Sequence, residues 1–79
     1  MKRGINSIIT NEQVATVFGG ELAKKFTRPF LARKVCEMRA QGFEFPAISK
    51  KYGLSQYTCM NIVRKAVRLF KVFGEEATP

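Results

Sequence analysis

Histidine and tryptophan are absent from the 79 residues, and aspartate and glutamate together number only six. Histidine, cysteine and carboxylate side chains supply most of the metal ligands and general bases in proteins. With so few of these groups and no nucleophile motif, the sequence predicts a protein that is not an enzyme and carries no metal or other cofactor.

Long apolar runs are also missing, since none approaches the roughly 20 residues that a membrane-spanning helix needs. The first residues include Lys2 and Arg3 but no continuous apolar segment ahead of a small-residue cleavage site, so they do not predict a signal peptide. We therefore expect a cytoplasmic protein with no membrane partner.

Only two cysteines are present, Cys36 and Cys59, and their spacing fits no zinc-binding pattern. Both fall on apolar faces of predicted helices. This placement favours reduced thiols that pack as small buried hydrophobic groups. A disulfide between them is the alternative.

Basic residues are in excess. Fourteen lysines and arginines give a formal charge of +8 and an isoelectric point near 10.0. Residues 27–73 hold ten of these basic side chains and only two acidic ones. Such a charge density attracts polyanions, so it predicts nucleic acid as the partner. A surface that serves only solubility is the alternative.

The length and composition indicate one small folded domain. Apolar residues make up 46% of the chain and charged residues 25%, as in ordinary globular proteins. We expect a single domain over residues 1–79, with a flexible arm at 1–8 and a flexible tail at 74–79. A chain this short buries little core, so its helices must pack well or it must oligomerise.

The first helix is marked by a capping box. Thr10 is a good N-cap, Gln13 follows three residues later, and Ile9 and Val14 form the flanking hydrophobic pair. The helix is predicted to run from Asn11 to about Phe18 and to stop at the following glycine pair. Residues 21–26 can form either a turn of helix or an extended connector.

Prolines and glycines divide the rest of the chain into helices. Pro29 suits the first turn of a second helix that Gly42 closes. Its predicted apolar side is Leu31, Val35 and Met38, with Phe30 and Cys36 adjoining. A third, short helix should run from about Pro46 to Tyr52, with Ile48 and Tyr52 facing inward.

The last helix is predicted to be the longest. Gly53 should end the third helix in a left-handed conformation, and Ser55 should cap the fourth. Apolar residues then recur at steps of three or four, which makes a continuous stripe. The stripe consists of Cys59, Ile62, Val63, Ala66, Val67, Phe70 and Phe73. The predicted fold is all-α, a small four- to five-helix bundle containing a tri-helical helix-turn-helix with an extended recognition helix.

A short helix, a glycine-centred turn and a second helix form a helix-turn-helix, the unit that places its second helix in the DNA major groove. The segment "GFEFPAISKKYGLSQYTCMNIVRK" resembles the helix-turn-helix units of resolvases, transposases and small phage or bacterial regulators. In those units a glycine is followed by Ile-Ala, Gly-Val-Ser, Thr-Val and Ile at set spacings. Ser49 and Cys59 stand where Ala and Val are usual, and Glu44 replaces the usual Ser or Thr cap. The matching residues are Gly42, Ile48, Gly53, Leu54, Ser55, Thr58 and Ile62.

A second resemblance concerns the preceding residues. The segment "VFGGELAKKFTRPF" is similar to middle-operon activators of Mu-like phages, in which a Gly-Gly segment precedes the DNA-binding unit. The two resemblances together imply a regulator from a phage or mobile element.

The helix-turn-helix resemblance also implies roles for exposed side chains. Glutamine and asparagine can bind adenine through two hydrogen bonds and arginine can bind guanine, while tyrosine can touch a thymine methyl or a phosphate. The implied base-reading residues are Gln56, Tyr57, Met60, Asn61 and Arg64. Hydroxyls at the helix start and nearby cations suit phosphates. The implied phosphate-binding residues are Arg33, Lys34, Lys50, Lys51, Ser55, Thr58 and Lys65.

The apolar stripe extends further than a minimal helix-turn-helix needs. Either the first helix folds back and covers its end, or a second subunit does, because a large bare apolar patch is uncommon on a monomer. The second option predicts a homodimer that contacts through Val67, Phe70 and Phe73 and reads a two-fold site.

The leading functional expectation is a sequence-specific transcription regulator that binds double-stranded DNA in the bacterial cytoplasm, associated with the nucleoid. The alternatives are a basic module that docks on an acidic partner such as an RNA polymerase subunit, and an accessory or architectural DNA-binding factor. A third possibility is that the amphipathic helix over residues 59–73 binds a membrane surface.

Overall fold

Residues 8–74 are described by a computed structural model, and within them the chain is helical with no strands. The elements in chain order are α1 (Asn11–Phe18), a 3₁₀ helix (Glu21–Lys25), α2 (Pro29–Ala40), α3 (Phe45–Tyr52), α4 (Gln56–Leu69) and a π-helical turn (Phe70–Gly74). The prediction of a small all-α bundle is confirmed. Within the same residues no helix has the length and apolar character to cross a bilayer. The predicted arm and tail lie almost wholly outside the described residues.

Helix α1 begins with the predicted capping box. The backbone N–H of Gln13 donates to Thr10 Oγ1 at 3.1 Å, and the N–H of Thr10 donates to Gln13 Oε1 at 3.0 Å. These two bonds satisfy donors that a helix start otherwise leaves without partners. The hydrophobic pair Ile9 and Val14 is buried, so the cap also anchors α1 to the core.

Helix α2 begins at Pro29 as predicted, but the predicted apolar face is wrong in part. Its buried residues are Ala32, Val35 and Cys36, and Phe30 is 75% exposed. The cause is tertiary: α2 packs against α1, α3 and α4 together, so the face that these neighbours enclose is centred on Val35. Leu31 and Met38, predicted on the apolar side, are half-buried and pack against the core.

Helix α4 supplies the centre of the core. It packs against α1, α2 and α3 through its buried residues Cys59, Val63, Ala66 and Leu69. The α-helix ends at Leu69 and continues as the π-helical turn, whereas one continuous helix to about residue 73 was expected. Phe73, which lies on this turn, is 42% exposed.

Both cysteines are free and buried, so the predicted disulfide alternative is wrong. Burial, reinforced by the charge of neighbouring Glu37, raises the pKa of Cys36 to about 12. Burial also raises the pKa of Cys59. Thiols with raised pKa values are poor nucleophiles and poor metal ligands, in agreement with the prediction that they pack as small hydrophobic groups.

Candidate nucleic-acid interface

The turn between α3 and α4 has the predicted left-handed glycine. Gly53 has φ +69° and ψ +29°, and its N–H donates to the carbonyl of Ser49. The N–H of Leu54 donates to the same carbonyl at 3.1 Å, and the Ser49 hydroxyl donates to the carbonyl of Leu54. The backbone of the turn is therefore tied to the end of α3, which fixes where α4 begins.

Ser55 caps α4 as predicted. Its Oγ accepts from the N–H of Thr58 at 3.0 Å, and its hydroxyl donates to Thr58 Oγ1 at 2.9 Å. Glu44, at the corresponding position before α3, makes no such cap. Its carboxylate lies 3.8 Å from Arg39 Nη1 instead, so the longer side chain reaches an ion pair and leaves the start of α3 uncapped.

The first turns of α4 are open to solvent. Gln56, Asn61 and Arg64 are exposed, and Tyr57 is 72% exposed. Met60 differs from the other implied base-reading residues because it is half-buried and packs against the core. Four of the five side chains therefore share one accessible surface.

Several of the basic side chains on α2 and α3 have partners within the chain. Arg33 Nε lies 2.9 Å from Glu37 Oε2. The Lys34 ammonium lies 5.2 Å from the centre of the Phe30 ring, and that of Lys51 lies 5.9 Å from the Tyr52 ring. Lys50 is exposed on α3.

Lys65 differs from the other implied phosphate-binding residues because it bridges two parts of the fold. Its Nζ donates to the carbonyl oxygen of Lys25 and lies 4.9 Å from the centre of the Phe26 ring. Phe26 is buried and pairs with Phe18 at 5.0 Å between ring centres. Lys65 therefore connects α4 to the segment that leads into α2.

An open groove of about 360 Å³ lies between that segment and α4. One wall is formed by side chains of α4. The other is formed by residues 26–28, which connect the 3₁₀ helix to α2, and by the first turn of α2. Leu54 lies at the corner between the two walls. The α4 wall consists of Tyr57, Thr58, Asn61, Ile62 and Lys65, and the facing wall of Phe26, Thr27, Arg28, Leu31 and Ala32.

Thr27 and Arg28 were not singled out from the sequence as site residues. They are about 30 residues away from the α4 wall along the chain, so no local motif connects them. They reach the groove because α2 packs across α4. The crossing of the two helices is a tertiary property that no local pattern predicts.

Acidic side chains do little to neutralise the positive charge of the groove and of the open face of α4. Three of the four glutamates in residues 8–74 lie within 4 Å of a basic side chain, in the pairs Glu21–Lys24, Glu37–Arg33 and Glu44–Arg39. None of them lines the groove, whose wall includes Arg28 and Lys65. The groove and the open face of α4 are therefore positively charged.

The surface proposed for dimerisation is only partly open. Val67 and Phe70 are half-buried against the core, and α1 contacts both α4 and the π-helical turn. Phe73 and Val72 are 42% and 49% exposed. Lys25 lies over the Phe73 ring at 5.3 Å. Helix α1 thus covers part of the stripe, and the exposed remainder lies at its very end.

In residues 8–74, histidine, cysteine and acidic side chains form no cluster that could hold a metal ion. Comparisons with protein-family models, curated proteins and solved structures give no match to this chain. The geometry and charge of the site are therefore the basis for a proposed function.

Proposed function

We propose that the protein is a sequence-specific, double-stranded DNA-binding regulator that places the first turns of α4 in the major groove. The observation that carries the proposal is the exposed group Gln56, Tyr57, Asn61 and Arg64, which follows the left-handed turn at Gly53 on a chain of charge +8. An α-helix fits the major groove, where every base pair presents a distinct set of donors and acceptors.

The exposed side chains suit base edges. The amides of Gln56 and Asn61 can each pair with adenine through two hydrogen bonds, and the Arg64 guanidinium can pair with guanine. Each good pair contributes about 1–3 kcal/mol of discrimination against a wrong base. Around them, basic side chains and the hydroxyls of Ser55 and Thr58 suit phosphate oxygens, which set the register of the helix on the duplex.

A homodimer completes the proposal. One small module reads few base pairs, whereas a two-fold dimer reads two half-sites about one helical turn apart. The exposed end of the stripe at Phe73, together with the neighbouring Val72, offers an apolar contact between copies.

A second candidate is a basic module that docks on an acidic protein such as an RNA polymerase subunit. Phe30 favours it, because this phenylalanine is 75% exposed on α2 with the ammonium of Lys34 over its ring. An exposed aromatic ring beside a cation is typical of a protein–protein interface.

Binding to random duplex DNA over a salt series, followed by selection from a random pool of duplexes, separates the candidates. If six phosphates are engaged, affinity should fall with a log–log slope of about −5. A steep slope with an enriched, two-fold motif supports the regulator. A steep slope without enrichment indicates an architectural factor, and no binding to DNA favours the acidic protein partner.

A further inference from the structure

We propose that the groove between α4 and the start of α2 seats one sugar-phosphate strand of the bound duplex, with Arg28 and Thr27 as phosphate-binding residues and Lys65 as the residue that positions them. This inference depends on the proposed DNA-binding function. It assigns a role in DNA binding to the far wall of the groove, the wall opposite α4, which has no role in the helix-turn-helix pattern.

The shape and chemistry of the groove suit a sugar-phosphate strand. Its volume is about 360 Å³, and Leu31, Leu54 and Ile62 supply an apolar lining. Deoxyribose presents C–H groups that such a lining can contact, while the phosphates need polar or charged groups at the rim. Thr27 and Arg28 stand on one wall and Thr58 on the other.

Arg28 is available for a phosphate. It is exposed, and among residues 8–74 no carboxylate lies within ion-pair distance of its guanidinium. A guanidinium offers a planar fork of N–H donors that matches two phosphate oxygens, and it stays charged at any working pH. With no acidic residue in the groove wall, an anionic strand meets no repulsion there.

The groove is continuous with the surface proposed to read bases. Tyr57 and Asn61 belong to both, since they are exposed on α4 and also line the groove. A strand lying in the groove therefore presents its bases toward the same face that carries Asn61. This continuity favours a nucleic-acid strand over an acidic peptide as the occupant.

Lys65 holds the far wall in place. Its ammonium bonds to the carbonyl of Lys25 and lies over the ring of Phe26, and the next two residues along the chain are Thr27 and Arg28. The contact spans 40 residues of sequence and fixes the connector against α4. We therefore expect Lys65 to act largely through Arg28.

The test measures binding to a random duplex over a salt series for Arg28→Ala, with Lys71→Ala as the control. Lys71 is also exposed but lies on the π-helical turn, outside the groove wall. Arg28→Ala should reduce the magnitude of the log–log slope by about 1, because one phosphate contact is lost. Thermal unfolding should be unchanged. Thr27→Val, which keeps the shape and removes the hydroxyl, should weaken binding by a smaller factor without changing the slope.

A double-mutant cycle tests the role of Lys65. If Lys65 positions Arg28, Lys65→Met combined with Arg28→Ala should weaken binding by much less than the product of the two single effects, and Lys65→Arg should retain most of the affinity. Independent, multiplicative losses would show that Lys65 binds its own phosphate and would overturn the positioning role.

The outcomes separate this inference from the proposed function. If the unmodified protein binds duplex DNA with a steep slope but Arg28→Ala behaves like Lys71→Ala, the groove assignment is wrong and the DNA-binding function stands. If the unmodified protein ignores duplex DNA, the function itself fails. Binding of a polyglutamate peptide that needs Arg28, without binding of DNA, would assign the groove to an acidic protein and overturn the inference.

Discussion

Gly53 determines the direction in which α4 leaves α3. Its φ of +69° is strained for other residues, yet a Cβ built there would meet no atom within 4 Å. Gly53→Ala should therefore destabilise the fold through the backbone alone, by about 1–2 kcal/mol. Urea unfolding measures the change, and Gly53→Asn should recover part of it because asparagine tolerates this conformation better.

Gly20 provides the matched control for that experiment. It is exposed, its φ of −149° suits any residue, and a Cβ there would also meet no atom within 4 Å. Gly20→Ala should leave the free energy of unfolding within about 0.5 kcal/mol of the unmodified value. Equal losses at the two positions would show that the left-handed turn is not the source of the cost.

Substitutions at the proposed DNA interface should have two kinds of effect on binding. Gln56→Ala and Arg64→Ala should relax the choice of sequence, each by about 1–3 kcal/mol at one base position, because both side chains are exposed on α4. Lys50→Ala should weaken binding to all duplexes alike. Selection from a random pool with each variant measures the difference, and three identical outcomes would refute the division.

Cys36 makes the stability of the fold depend on pH. Its folded-state pKa of about 12 lies above the value near 9.0 of an unburied thiol. The unfolded chain therefore releases this proton first, so the contribution is fully present below pH 9 and is lost as the pH rises toward 12. The expected slope is about 1.4 kcal/mol per pH unit in that window.

Subtracting the stability-versus-pH curve of Cys36→Ala from that of the unmodified protein isolates the contribution of this thiol. The difference in free energy of unfolding between the two proteins should be flat below pH 9 and shrink above it. A difference that stays constant up to pH 11 would mean that Cys36 ionises as easily in the folded protein as in the unfolded one.

At the scale of the element, substitutions of Ser55 can separate the capping of α4 from its proposed contact with a DNA phosphate. Ser55 caps the helix through the N–H of Thr58, so Ser55→Ala should cost about 1 kcal/mol of stability. Ser55→Asp should keep the cap and the stability, since aspartate is an equally good N-cap. Its carboxylate should nevertheless weaken DNA binding at least several-fold, because it would stand beside a phosphate.

Thermal unfolding and duplex binding of the two Ser55 variants give the measurement. A stable Ser55→Asp protein that binds DNA as tightly as the unmodified one would show that the tip of α4 does not face the phosphate backbone. The control is Thr10→Asp, which likewise replaces a hydroxyl cap by a carboxylate, but on α1, an element that carries none of the proposed contacts.

Sequence patterns predicted the elements well where the cause is local. The capping box at Thr10, the left-handed Gly53 and the cap at Ser55 each depend on a few neighbouring residues, and all three are confirmed. The inward face of α2 and the π-helical turn depend on which helices surround them. Phe30 was therefore misassigned to the apolar side, and Leu69, a core residue, was missed.

At the scale of the whole molecule, the oligomeric state depends on the end of the apolar stripe. If copies associate through Phe73, Phe73→Asp should lower the sedimentation coefficient to that of a monomer, because a carboxylate cannot be buried there cheaply. Phe30→Asp is the control, since Phe30 is another exposed phenylalanine on a different surface. An unmodified protein that sediments as a monomer at high micromolar concentration would remove the dimer.

Only the part of the candidate site that lies on α4 could be predicted from the sequence. Periodicity identifies Gln56, Asn61 and Arg64 as outward residues of α4, and they are exposed. The groove joins residues 26–32 to residues 54–65, and its existence depends on the crossing of α2 over α4. For the same reason the sequence gives no sign that Lys65 contacts the Lys25 carbonyl.

Helix α4 has one side that packs in the core and another that faces solvent. Cys59, Val63 and Ala66 face inward with no exposed surface, while Gln56, Asn61 and Arg64 face solvent. Substitutions on the outer side therefore leave the packing of the domain almost untouched. Under the proposed function, a few codon changes at these outer positions of one helix would alter the preferred operator while the packed side of α4 stays the same.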